Sequence, residues 1–145
     1  MGIIVQKFGG TSVADTEKIK HVASAAIKEK ERGNQVVVVV SAMGHTTDEL
    51  VKMSKGLSTN PNEREMDMLL SCGEQISMSL LAIAINEMGY EAISFTGLQA
   101  GIKTESKHMC ARIVDIDANR IKENLKAGKI VIVAGFQGVC DDYEI

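Results

Sequence analysis

Val36-Val37-Val38-Val39-Val40-Ser41-Ala42-Met43-Gly44 is the stretch on which the fold turns. Five β-branched residues in succession favour strand over helix, where their Cβ substituents crowd the preceding turn. The run has no alternation of apolar and polar residues, so neither face of the strand is left for water. A strand buried on both faces needs a layer above and a layer below. A parallel sheet flanked by helices supplies both. Ser41-Ala42-Met43-Gly44 then breaks the run. Thr46-Thr47-Asp48-Glu49 resembles a capping box opening a short helix through Leu50 and Met53.

Towards the amino terminus, Ile3 to Phe8 reads as a strand that Gly9-Gly10 ends. A helix is expected from about Asp15 to Arg32, because Ile19, Val22, Ala23, Ala26 and Ile27 recur at one-face spacing. Ser12-Val13-Ala14-Asp15 fits a capping box before it, and Gly33-Asn34 a stop after it. Towards the carboxyl terminus, Gly56 to Asn62 holds the only proline and reads as a loop. A long helix is expected from Glu63 or Arg64 to Met88, with the stripe Met66, Leu69, Leu70, Gly73, Ser77, Leu80, Leu81, Ala84 and Met88. Strands follow at Tyr90 to Thr96, Ile102 to Thr104, Ala111 to Ile116 and Lys129 to Ala134, with a helix from Asn119 to Lys126. Gly135-Phe136-Gln137-Gly138 is a turn. The alternation predicts an α/β fold: a three-layer α/β/α sandwich with a mainly parallel sheet. Strands 3–8, 36–40 and 129–134 are expected side by side at its centre. No repeat or linker divides residues 1–145, so they read as one domain. An α/β fold normally continues from such a last strand into a covering helix, so the domain is expected to be truncated. Apolar surface left bare in that way favours a homo-oligomer.

Composition narrows the function. The 145 residues are 45% hydrophobic and 24% charged, with a net charge of −3, so no basic field invites nucleic acid. No run of 18 apolar residues occurs, and no membrane association is expected. The first residues lack a signal-peptide pattern, which makes the cytoplasm the expected location. Cys72, Cys110 and Cys140 are scattered and odd in number, so free thiols are expected rather than disulfides or zinc. His21, His45 and His108 show no ligand spacing, and no metal-binding residue is assigned.

Ligands in open α/β sheets bind beyond the carboxyl ends of the strands. Three such ends carry glycine and small polar residues: Lys7 to Ser12, Ser41 to Gly44, and Gly135 to Gly138. Glycine lets backbone N–H groups approach a phosphate, and a following helix start adds a favourable dipole. The first segment is neither a Walker A loop nor a G-x-G-x-x-G fingerprint, since neither spacing occurs in it; its lysine precedes the glycines, at the strand end. Lys7 could aim an ammonium at a transferring phosphoryl group, or be an exposed lysine at an ordinary turn. Ser41 could contact phosphate or simply fill a turn. Thr47 could orient a substrate or lie in a first helical turn. At 100° per residue, Glu74 falls about 80° from the centre of the stripe, at its flank. There it could hold a substrate ammonium, or pair with an arginine. Asp115 and Asp117 could gather a metal, or begin a turn.

The ordered series Lys7-Phe8-Gly9-Gly10-Thr11-Ser12, Val37 to Gly44, Thr46 to Leu50, Met68 to Gln75, Phe95 to Gly101 and Val133 to Gly138 resembles the aspartokinases of the amino-acid kinase superfamily, at family spacing across the chain. The resemblance implies ATP-dependent phosphorylation of the L-aspartate β-carboxylate to β-aspartyl phosphate, with Mg2+, as the first step towards lysine, threonine and methionine. It implies that Lys7 stabilises the phosphoryl group in catalysis and that Lys7, Phe8, Gly9, Gly10 and Ser41 hold nucleotide. Ser41, Thr47 and Glu74 would hold aspartate, Glu74 through the α-ammonium. The family's glycine-rich G-R-G-G-S-D segment, adenine-binding part and regulatory ACT domains have no counterpart here, so this chain alone is expected to be inactive. The alternatives are a sister kinase of the superfamily acting on another acceptor, and a non-catalytic module that binds an amino acid or phosphate.

Overall fold

The computed structural model describes residues 2–145. Its centre is a four-stranded parallel sheet ordered β1-β2-β6-β3, formed by β1 (Ile3–Phe8), β2 (Gln35–Val40), β3 (Ala92–Phe95) and β6 (Ile130–Ala134). A separate antiparallel ribbon pairs β4 (Ile102–Thr104) with β5 (Ile113–Ile116). The helices are α1 (Thr16–Glu31), α2 (Thr46–Leu57), α3 (Glu63–Glu87) and α4 (Asn119–Lys126). The expected α/β sandwich with a parallel sheet is therefore present.

The alternation of side chains along a strand sorts this sheet into two faces. Even-numbered residues Val36, Val38, Val40, Ile130, Ile132 and Ala134 face α1 and α3, and pack with Val22, Met78, Leu81 and Ile85 into the larger core. Odd-numbered Val37, Val131 and Val133 join Phe95, Ala100 and Leu125 of α4 in a smaller one. Val36 and Val38 on one face are 0% exposed and Val37 on the other is 7% exposed, as the two-sided reading of the valine run requires, while Val39 is half-buried; all of β6 is buried.

One expectation changes here. Strands β1, β2 and β6 are neighbours as expected, but β1 lies at the border of the described sheet, not in its centre. Its odd face is open, with Ile3 54% and Val5 64% exposed. The sequence misleads because α4 is only eight residues long and contacts β6 and β2, leaving the neighbouring strand bare.

The boundaries of α1, α3 and α4 fall within a residue or two of expectation, while the caps differ. Asp15, not Ser12, caps α1: its Oδ1 accepts from Lys18 N at 2.8 Å. Ser12 is taken up in a 3-10 turn over Gly10–Val13. Position His45 precedes α2 and makes no side-chain cap, so the Thr46 box is not formed. Helix α2 also runs on to Leu57, beyond the short helix expected.

The buried side of α3 is rotated from the expected stripe. Met66, Gly73, Ser77 and Leu81 are buried as expected, but so are Glu74, Met78, Ala82 and Ile85, while Met88 is 38% exposed. By length and composition alone α3 could cross a membrane. Its apolar residues Met78, Leu81 and Ile85 instead pack against the sheet.

Candidate functional site

The turns after β1, β2 and β6 are laced together at the carboxyl end of the sheet. Ser41 N donates to Phe8 O at 3.1 Å, Gly44 N to Gly10 O at 2.9 Å, and Gly135 N to Val40 O at 2.9 Å. Such an approach of backbones explains Gly10, where a Cβ would stand 2.8 Å from Ala42 O. Helix α3 leans on the same place. A Cβ on Gly73 would stand 2.8 Å from the Ala42 Cβ, so any side chain there would push the helix off the turn.

That approach delivers Glu74. The residue is 6% exposed and its Oε1 accepts from Ala42 N at 3.2 Å. Burial pushes its pKa above the ordinary carboxylate value, and hydrogen bonds from the Glu74 and Ala42 amides oppose that push. Among the described residues no lysine, arginine or histidine forms an ion pair with it. The arginine pairing considered for it is thus not found.

Glu74 and Thr47 both line one cleft of about 750 Å³, with Val39, Val133, Gly135 and Phe136 among the other walls. Lys7, Phe8, Gly9, Gly10 and Ser41 do not line it. Lys7 is nevertheless related to it by the sheet. It is in register with Val39, which is in register with Val133, and residues in such a row project from one face. Lys7 is exposed, Ser41 is half-buried, and a Cβ on Gly9 would meet nothing within 4 Å. The open ground around Gly9 leaves backbone available to a ligand.

Asp115 and Asp117 stand in different local settings. Asp115 lies opposite Lys103 in the ribbon, and Asp117 Oδ1 accepts from Asn119 N at 3.1 Å, opening the turn into α4. Among the described residues no three His, Cys, Asp or Glu side chains gather as a metal cage. The three cysteines are free, Cys72 and Cys110 exposed and Cys140 buried.

Two features of the cleft escape sequence reasoning. Phe136 has φ 60° and is 89% exposed at the end of β6. A bulky residue in the left-handed region is strained, and such strain collects at ligand sites. The turn was legible, but nothing in its composition assigns positive φ to phenylalanine. The second is a strap around His108. Asp67 of α3 accepts from Met109 N at 3.0 Å and lies 2.8 Å from His108 Nδ1, fixing that strap against the cleft wall. Contacts between residues so far apart in the chain leave no local signal.

The model of the amino acid kinase family matches residues 2–145. Aspartokinase 2 of Bacillus subtilis (strain 168) is 61% identical over 145 residues, which is 100% of this chain and 36% of that protein. The aspartokinase of Geobacillus stearothermophilus is 62% identical, with the same shares covered. Among solved structures, aspartate kinase from Synechocystis is 50% identical with a TM-score of 0.80, over 94% of this chain and 22% of that one. E. coli aspartokinase III in complex with aspartate and ADP has a TM-score of 0.85 at 20% identity, over 98% of this chain and 42% of that one, a likeness of fold. The chain spans about a third of the length of the curated relatives it matches. With a parallel sheet whose glycine-bearing turns meet at one end, and a family match along its described length, the chain belongs to the amino acid kinase family.

Proposed function

We propose that the intact protein phosphorylates the β-carboxylate of L-aspartate with ATP. The observation that carries this reading is Glu74, a buried carboxylate on a cleft wall with no cationic partner among the described residues. A buried charge needs a counter-charge, and the α-ammonium of an amino acid supplies one. Relatives named aspartokinase, 61% and 62% identical, support aspartate as that amino acid.

In this reading Glu74 and Thr47 hold the acceptor. Its β-carboxylate oxygen attacks the γ-phosphorus, the bond from γ-phosphorus to the bridging oxygen breaks, and the electron pair leaves on ADP. The acceptor is already ionised, so no general base is needed. Lys7, on the row shared with Val39 and Val133, neutralises charge on the phosphoryl oxygens, and the backbone of Phe8, Gly9 and Gly10 with Ser41 holds nucleotide. Mg2+ would arrive on the nucleotide. The intact protein is read as a cytoplasmic homo-oligomer serving amino-acid biosynthesis.

The test is a hydroxamate assay of the whole gene product with ATP and either L-aspartate or L-glutamate. Aspartyl hydroxamate is the expected product. Turnover with glutamate alone, or ligand binding with no turnover, would overturn the assignment in favour of a sister kinase or a binding module.

A further inference from the structure

Helix α3 holds the peptide between Ser41 and Ala42 at both of its polar atoms. Ala42 N donates to Glu74 Oε1 at 3.2 Å, and one helical turn on, Ser77 Oγ donates to Ser41 O at 2.7 Å. Ser77 is 0% exposed. Its Oγ also lies 3.1 Å from Glu74 O, the intrahelical acceptor three residues back. A hydroxyl has one proton, and the shorter distance assigns most of it to Ser41. The other helical serines behave differently. Ser24, Ser54, Ser71 and Ser79 donate only to carbonyls of their own helix, three or four residues back.

The peptide so held is the first after β2, beyond the last rung that Val40 makes with Ala134. The ladder therefore does not orient the Ser41 carbonyl. Ser41 N is already given to Phe8 O. With its carbonyl held by Ser77 and the next amide by Glu74, the residue has little freedom to rotate. Its side chain is aimed by contacts made behind it.

Resting on the kinase reading above, we propose that Ser77 is a positioning residue. It touches no substrate, and fixes the Ser41–Ala42 peptide so that the Ser41 hydroxyl and the Glu74 carboxylate keep one relative geometry. Displacement of about 1 Å in a positioning element can cost up to 10²-fold in rate.

The experiment measures kcat, KM for aspartate, KM for ATP and thermal midpoint for the whole gene product and for Ser77→Ala, Ser77→Cys and Gly73→Ala. Ser77→Ala is expected to lower kcat about tenfold while both KM values move less than about threefold. Ser77→Cys keeps the space filled with a weaker donor, and should fall between Ser77→Ala and the unsubstituted protein. Gly73→Ala keeps the donor but forces the helix off the turn, and should also lower kcat. A folded Ser77→Ala protein with unchanged kcat overturns the positioning role. If Ser77→Ala does not fold, an unchanged kcat in Ser77→Cys does the same. Failure of the unsubstituted protein to phosphorylate aspartate overturns the kinase reading, and the role of Ser77 with it.

Discussion

The two faces of the sheet divide the work differently. The even face is closed under α1 and α3, and its residues Val36, Val38, Val40, Ile130, Ile132 and Ala134 are all 0% exposed. The odd face is covered by α4, Ala100 and Ile102. Val37, Val131 and Val133 are covered there, while Ile3 and Val5 of β1 lie open. The candidate site belongs to the carboxyl end of this less covered face, where Val39 and Val133 line the cleft and Lys7 shares their row. One period-two pattern thus puts stability on one side and leaves room for ligands on the other.

Substitutions on alternate residues test that division, and the largest effect is expected at Lys7. In the whole gene product, Lys7→Ala should lower kcat by about 10²–10³, the usual cost of removing one group that stabilises transition-state charge. Its folding stability should change by no more than ~0.5 kcal/mol, since the side chain is exposed. Near-normal ADP release by Lys7→Ala would remove the odd face from the chemistry. Glu74→Gln comes next, with kcat/KM for aspartate expected to fall about 10²-fold because the substrate ammonium loses its buried counter-charge. An unchanged kcat/KM would mean the ammonium binds elsewhere.

Val38→Ala opens a void in the even core and should cost about 2 kcal/mol by denaturant titration. Val5→Ala, 64% exposed on the odd face, should cost no more than ~0.5 kcal/mol. Equal losses would show that the open side is covered in solution. The smallest effect concerns pH. Burial raises the Glu74 pKa, so the folded protein keeps that proton to higher pH than the unfolded chain does. Stability therefore falls as pH rises through the interval between the two values. Glu74→Gln retains an acceptor for Ala42 and should slightly raise Tm at pH 7, with the gain vanishing below the ordinary carboxylate range. A lower Tm at pH 7 would show that the ionised form is the better partner.

What the sequence made legible follows periodicity. The valine run announced a two-sided strand, and the helix expected from about Asn119 to Lys126 is present over those residues. The position of β1 was not legible, because Ile3 and Val5 are as apolar as buried strand residues and only the short reach of α4 leaves them bare. The buried side of α3 was misjudged for a related reason. A stripe drawn through large apolar residues misses Glu74, which is buried by the close approach that Gly73 permits, not by hydrophobicity. For the site, glycine and small polar residues marked the strand ends. The hydrogen bonds joining Ser77 to Ser41 and Asp67 to His108 depend on tertiary contact, and carry no local pattern.

The strand order carries a kinetic consequence. Strand β6 lies between β2 and β3, so Val40 meets Ala134 only after most of the intervening chain has been drawn together. Closing so long a loop costs entropy before any contact repays it, and parallel pairings of this kind form slowly. Until β6 arrives, the five valines of β2 have one hydrogen-bonding edge without its native neighbour. A short, uncharged, β-branched segment in that condition is prone to pair with another chain. The stretch that decides the fold is therefore also the stretch most exposed to misassembly while folding is under way. Substitutions that delay β6 should lower the yield of folded protein even where the finished structure accommodates them.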